Sequence, residues 1–199
     1  MATTLKEIMG FLDGESLKYK PREDKDHVIT GFRMKNYTNP EGANQLVIVI
    51  QLYEDGEFIE VLAPKAYVYK EGPHALAVLK ACMFVSWRTK MLQYEYDPID
   101  GEILAVIEFP LEDAKLTKSQ FMRVLMGLPS IIDRFHPVIQ GAIDTGELKI
   151  PDDDDAASAM QLFKLLEELK GQDPKVVKET MDKISELLKR SKKKPPETL

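Results

Sequence analysis

The chain has 199 residues, of which 44% are hydrophobic and 30% charged, and its formal net charge at pH 7 is -6. A chain of this length and composition can bury a core, so collagen-like, mucin-like and fully disordered proteins are excluded. The acidic balance argues against a dedicated nucleic-acid-binding protein, and the single cysteine, Cys82, excludes an intrachain disulfide and a cysteine-rich zinc site.

The first predicted element is a short amphipathic helix from Thr4 to about Leu12. Thr4 and Glu7 have the spacing of a capping box, which stabilises a helix start. Apolar residues recur at intervals of three and four, so they share one side of this helix. They are Leu5, Ile8, Met9 and Leu12.

Three strands are predicted next. Val28 to Met34 alternates as a half-buried strand does. Gln45 to Tyr53 contains a continuous apolar run and is interpreted as an inner strand covered on both faces. Phe58 to Ala63 follows across Glu54-Asp55-Gly56, which is a hairpin signal.

A longer helix is predicted from Pro73 to Lys90. Its apolar residues extend over more than one side, so the helix needs cover on most sides. Either it lies at the centre of the monomer or it contacts a second subunit, and the sequence favours the two equally. Phe84, Trp87 and Met91 are the residues expected to complete a dimer or partner contact.

A hairpin and a third helix complete this part of the chain. The hairpin strands are predicted at Leu92 to Tyr96 and Glu102 to Phe109. The helix is predicted to begin at Thr117, where the sequence again matches a capping box. Pro129 is expected to kink it and Pro137 to end or bend it, because proline lacks a backbone donor and clashes with the preceding turn.

The composition changes from Pro151 onward. Asp152 to Asp155 precede two helical segments, 156–170 and 174–189, and a basic tail. We therefore predict an α+β domain over residues 1–150, followed over 151–199 by an acidic linker, a two-helix appendage and the tail. Two such helices are too small to fold alone, so they are expected to dock on the main domain or on a partner. The apolar residues proposed for a partner contact there are Leu162, Leu166, Met181 and Ile184.

The sequence carries no pattern that indicates catalysis. It has no phosphate-binding loop, and its three histidines lie far apart. Cys82 lies among apolar residues, which predicts an inert, buried thiol with a raised pKa. Asp97, Asp100 and Glu102 surround a turn and are interpreted as turn residues rather than as cation ligands. No catalytic residue, cofactor or metal is predicted.

The N-terminal segment does not match a secretory signal, because Lys6 and Glu7 interrupt its apolar residues. No apolar stretch approaches the roughly 20 residues that a membrane-spanning helix needs. Together with the single thiol, these features predict a cytoplasmic protein without a membrane span.

The order helix, three strands, helix, two strands, helix resembles the type III secretion chaperone-like fold and, within it, the YbjN family of bacterial proteins, often labelled sensory transduction regulators. The resemblance covers about residues 1–147. It is greatest at Asp97-Pro98-Ile99-Asp100-Gly101-Glu102, at Leu111-Glu112-Asp113 and at Asp133-Arg134-Phe135-His136-Pro137. It implies an α+β fold in which a five-stranded antiparallel sheet packs helices on one side, in the order α-β-β-β-α-β-β-α, here followed by the C-terminal helical hairpin. It also implies dimers that hold an extended client segment, and no catalytic residues.

The leading hypothesis is a non-enzymatic protein–protein interaction module, chaperone-like or a regulatory adaptor, that forms a homodimer and binds an unidentified protein partner. The alternative is a small-molecule or nucleotide-binding enzyme that uses the carboxylates Glu108, Asp113 and Asp133. Nucleic-acid binding through Lys189 to Lys194 is disfavoured, since no aromatic residue interrupts the basic run. Asp133, Arg134 and His136 lie near a predicted helix bend and could line a cleft, but a surface ion pair is the favoured interpretation.

Overall fold

The described residues form helices and strands in the order that the hydrophobic periodicity indicates. The structure is a computed structural model and describes residues 2–112, 114–150 and 197–198. The helices are α1 (Leu5–Asp13), α2 (Ala75–Thr89) and α3 (Lys118–Thr145). The strands are β1 (Tyr19–Arg22), β2 (His27–Arg33), β3 (Gln45–Tyr53), β4 (Phe58–Val68), β5 (Gln93–Tyr96), β6 (Glu102–Pro110) and β7 (Glu197–Thr198). None of the described helices is long and apolar enough to cross a membrane.

The strands form one antiparallel sheet in the order β1-β2-β3-β4-β6-β5, and the short β7 pairs with β2. The predicted α+β class is confirmed, but the predicted count of five strands is wrong because β1 and the two-residue β7 were missed. The edge strand β1 contains Pro21, and its burial pattern has one half-buried residue followed by three exposed ones. A strand paired along one side and solvated on both faces shows no alternation that the sequence could reveal.

The sheet buries one face, and the interpretation of β3 as covered on both faces is wrong. Leu46, Ile48, Ile50 and Leu52 of β3 are buried, whereas Val47 on the other face is 49% exposed. The described helices all contribute to the single core that covers the buried face. Aliphatic residues on both faces of a strand therefore did not mean cover on both faces.

Capping residues fix the starts of two helices. Thr4 forms a capping box with Glu7 at α1, and Thr117 forms one with Gln120 at α3, as predicted. The N-cap of α2 is His74, so this helix starts after Pro73 rather than at it.

Helix α3 continues through both of its prolines, so Pro137 does not end it. Pro137 cannot donate to the carbonyl of Asp133 four residues earlier. The side-chain amide of Asn36 donates to that carbonyl instead, at 3.4 Å. A neighbouring loop thus supplies the donor that proline lacks, and the helix extends to Thr145.

Candidate protein-contact surface

Helix α2 has one buried side and one exposed apolar side. Val78, Ala81, Cys82 and Val85 face the core. On the opposite side, four large apolar residues follow one another at intervals of three, four and four. They are Leu76 (65% exposed), Leu79 (38%), Met83 (68%) and Trp87 (74%), and we call this set the α2 face.

The α2 face is a sizeable solvent-exposed apolar patch. Its four side chains expose on the order of 500 Å², which is comparable with the largest patch on a typical monomer. Met91, just beyond the helix, is 40% exposed and extends the patch. Contiguous apolar surface of this size commonly marks an interaction site.

Hydrogen bonds hold both ends of α2 in place. At its start, His74 Nδ1 lies 2.9 Å from the carbonyl oxygen of Ile143, near the end of α3. The backbone amide of His74 donates to the hydroxyl of Tyr69 at 2.8 Å. Toward its end, Ser86 Oγ accepts from the backbone amide of Tyr94 in β5 at 3.3 Å. The α2 face is therefore presented by an anchored helix rather than by a loop.

The predicted contact residues differ in their accessibility. Trp87 is highly exposed, whereas Phe84 is half-buried and packs against the core. The centroid of the Phe84 ring lies 6.3 Å from that of Phe135 and 6.3 Å from that of Trp87. Phe84 therefore packs between the core and the exposed indole. The other predicted contact residues, Leu162, Leu166, Met181 and Ile184, lie outside the described residues.

Leu76, Leu79 and Met83 were not among the contact residues predicted from the sequence. Their spacing with Trp87 is a helical stripe, which was a usable signal. The same helix carries a second apolar stripe, and the sequence alone does not determine which of the two stripes packs against the core. Packing of α2 against α3 and β5 decides that question.

Comparison with solved structures confirms the predicted resemblance at the level of the fold. The chain is similar to the crystal structure of YbjN from E. coli, with a TM-score of 0.52 and 11% identity over 76% of this chain and 98% of that chain. The chain has the YbjN fold. Weaker likenesses are to the HopA1-SchA chaperone-effector complex (TM-score 0.42, 10% identity, 66% of this chain and 88% of that one) and to an uncharacterized protein from Methanothermobacter thermautotrophicus (0.38, 15%, 68% and 96%). No family model and no curated protein matches the chain.

The carboxylates of the enzyme alternative do not form one site. Glu108 is exposed on the outer face of β6, whereas Asp133 lies on α3, on the helical side of the sheet. Asp113 lies outside the described residues. An open groove of about 610 Å³ lies beside Glu108, but Asp133 does not line it. General acid–base chemistry needs groups within reach of one substrate, and these two are not.

Asp133 anchors the loop of residues 35–37 to α3. Its Oδ1 accepts from the backbone amides of Lys35, Asn36 and Tyr37 at 3.0, 2.7 and 2.9 Å, and its Oδ2 accepts from Asn36 Nδ2 at 3.1 Å. A carboxylate that accepts several backbone amides fixes both the loop and its own position. This role depends on residues about 100 positions away in the chain, so no local pattern indicated it.

Two other predicted groups have structural surroundings. Cys82 is a free, buried thiol, and burial raises its pKa to about 12. In the β5–β6 turn, Asp97 Oδ1 accepts from the amide of Ile99 and Asp100 Oδ1 from that of Glu102. The described residues contain no group of three or more histidines, cysteines or carboxylates that could hold a metal ion.

His136 is buried among aromatic rings. Its ring stacks on Tyr67 at 5.8 Å and meets Tyr37 edge-on at 5.2 Å. Nδ1 lies 3.4 Å from the Tyr67 hydroxyl, and Nε2 lies 3.4 Å from Thr38 Oγ1. Burial lowers the pKa of His136, and the nearby Asp133 and Asp144 oppose this shift without reversing it.

This lowered pKa predicts a loss of stability in mild acid. The unfolded chain takes up a proton on His136 near pH 6.5, whereas the native chain resists it, so the free energy of unfolding falls as the pH drops below about 6.5. His136→Phe keeps an aromatic ring and removes the titration. We expect chemical denaturation to give a weaker dependence of stability on pH between 6.5 and 5 for this variant than for the unmodified protein. His27→Phe is the matched control, and an equal effect of both variants would contradict the assignment.

Proposed function

We propose that the protein acts by protein–protein contact rather than by catalysis, as a chaperone-like or regulatory adaptor, and that the α2 face is where it forms a homodimer. The observation that supports this proposal is the exposed stripe of Leu76, Leu79, Met83 and Trp87 on an anchored helix. Interface cores are enriched in large apolar and aromatic residues such as these.

The charges around α2 suit an antiparallel pair of these helices. Glu71 lies just before the helix and Lys90 just after it, and both are exposed. The midpoint between them along the chain coincides closely with the middle of the apolar stripe. A two-fold axis there would bring Glu71 of each copy toward Lys90 of the other, and it would oppose the two helix dipoles.

The size of the patch is also compatible with a dimer. A standard interface buries about 800 Å² on each partner. The α2 face and Met91 supply the apolar part, and the long side chains of Lys80 and Lys90 can form a polar rim around it. The cytoplasmic setting and the identity of a further protein partner stay predictions from the sequence.

The double variant Met83→Glu/Trp87→Glu tests this proposal. Each substitution would bury a carboxylate in the dimer contact, so the dimer dissociation constant is expected to rise at least about 100-fold. Sedimentation equilibrium over a range of protein concentrations measures it. Far-UV circular dichroism should show an unchanged helix content, because both residues are exposed in the monomer.

Val47→Glu is the matched control for this experiment. Val47 is 49% exposed on the outer face of β3, whereas α2 packs on the core side of the sheet. We expect this variant to dimerise like the unmodified protein. A protein that is monomeric throughout, or a double variant that dimerises normally, would contradict the proposed homodimer.

A further inference from the structure

Strand β6 extends beyond its neighbour β5. The pairing of the two strands begins at Gln93, which is opposite Val106, and ends at Tyr96, which is opposite Ile103. Lys90, in a left-handed conformation at the end of α2, turns the chain so that β5 starts only at Gln93. None of the described strands therefore pairs with this edge of residues 107–110 of β6.

The direction of the backbone groups on this edge follows from one hydrogen bond. The amide of Tyr94 donates to Ser86 Oγ of α2, so it points away from β6. Gln93 must then be the residue whose amide and carbonyl face Val106, because these groups alternate along an antiparallel strand. By the same alternation, the amide and carbonyl of Glu108 point out of the sheet beyond the end of β5.

A groove lies where these backbone groups emerge. It has a volume of about 610 Å³ and runs between the end of α2 and the end of β6. Met91, Ile107, Phe109 and Val124 give it an apolar wall, and Glu108 lines its outer side. An apolar groove beside an unpaired strand edge is the arrangement that binds an extended peptide by strand addition.

The outer side of this groove carries three carboxylates, whereas Lys90 lines the groove at the end of α2. Glu60 of β4 is directly opposite Glu108, and Glu95 of β5 lies nearby. Burial raises the pKa of Glu60; a hydrogen bond with Tyr53 opposes this shift, and the charges of Glu108 and Glu95 add to it. Among the described residues, the side-chain amide of Gln93 donates a hydrogen bond to Glu108 Oε1 at 3.2 Å. This donor carries no charge. Like charges on facing strand positions are destabilising, so a cation placed here would be favourable.

We propose that this groove binds an extended segment of a partner protein, which adds antiparallel to β6 beside Glu108. Lysine or arginine of the segment lies opposite Glu108 on the outer face, and the residues before and after it are apolar and face Met91 and Val124. The inference rests on the proposed function in so far as both assign a protein partner. The groove contains none of the four residues of the α2 face, but it shares Lys90 and Met91 with the surroundings of that face.

A set of three synthetic peptides tests the proposal on the full-length protein. The parent probe is a capped nonapeptide of alternating valine and lysine. In the proposed geometry the lysine amides face β6 and the valine amides face solvent. Methylation of the lysine backbone nitrogens is expected to weaken binding at least about tenfold, whereas methylation of the valine nitrogens leaves it within about threefold. Fluorescence anisotropy measures the dissociation constants.

Protein variants test the charge preference. Glu108→Lys is expected to weaken binding of the valine–lysine peptide about fivefold and to strengthen binding of a valine–glutamate peptide. Glu41→Lys, an identical charge change at an exposed turn position, is the matched control and should alter neither. Amide chemical shifts should move at residues 91–93 and 107–109.

Several results would overturn the inference. Equal binding of the two methylated peptides would exclude strand addition, and shifts confined to β1 or to the α2 face would place the peptide elsewhere. Conversion of a dimer to monomer by the peptide would make a second copy the occupant. The Met83→Glu/Trp87→Glu variant should bind the parent peptide normally, so loss of the dimer and loss of peptide binding can be told apart.

Discussion

Asp133→Ala is expected to lower the free energy of unfolding by about 3–4 kcal/mol, because it removes a charged acceptor from three backbone amides and one side-chain amide. Hydrogen bonds to a charged group contribute about 1.5–3 kcal/mol each, but water replaces part of this at a half-buried site. Equilibrium urea unfolding gives the change.

The position of the residue explains the size of this effect. Asp133 lies four residues before Pro137, where the α3 backbone lacks a donor, and Asn36 supplies donors to both its side chain and its carbonyl. Tyr37, next in the loop, is buried and donates its hydroxyl to the carbonyl of Ala66 in β4. Loss of Asp133 thus releases a loop that connects α3 to the sheet.

Two variants sharpen this prediction. Asp133→Asn keeps an oxygen acceptor but loses the charge, so it should cost about half as much. Asp144→Ala removes an aspartate from the same helix whose side chain accepts from Gln140, and it should change stability by less than about 0.5 kcal/mol. A loss of stability shared equally by Asp133→Ala and Asp144→Ala would contradict the anchoring role.

Structure that depends on neighbouring residues could be predicted from the sequence, whereas contacts between distant segments could not. Both capping boxes and both hairpins could be predicted, because the residues that determine them lie within a few positions of one another. The contact of Asp133 with residues 35–37 joins segments that meet only in the folded chain. Strand β1, which was not predicted, is a similar case, because only its pairing with β2 defines it as a strand.

The candidate surface lies between these two cases. The excess of apolar residues on α2 was visible in the sequence, which left open whether the monomer core or a second subunit covers them. Which residues face outward depends on how α2 sits against α3 and β5, so Phe84 turns inward and Met83 outward. The groove at the end of β6 had no sequence signal, because it arises from the unequal lengths of two paired strands.

Gly56→Ala is the second substitution for which we expect a large effect, a loss of about 3 kcal/mol in the free energy of unfolding. Gly56 lies in the β3–β4 hairpin with φ at +93°, a conformation that strains any residue with a Cβ atom. An added Cβ would also collide with the backbone carbonyl of Thr3, whose amide donates to the Gly56 carbonyl at 3.0 Å. Thr3 is buried and its hydroxyl accepts from the backbone amide of Leu116 at 3.4 Å, so moving Thr3 away from position 56 would disturb these contacts.

Gly127→Ala provides the opposite control within the same chain. Gly127 lies inside α3, and a Cβ there would meet nothing within 4 Å. Alanine in a helix interior is favoured over glycine by about 0.5–1 kcal/mol, so this variant should be more stable than the unmodified protein. Opposite signs for the two glycine substitutions in thermal or urea unfolding are the result expected from backbone strain at position 56 together with the collision with Thr3. Equal small changes would mean that Thr3 does not pack against Gly56 in solution.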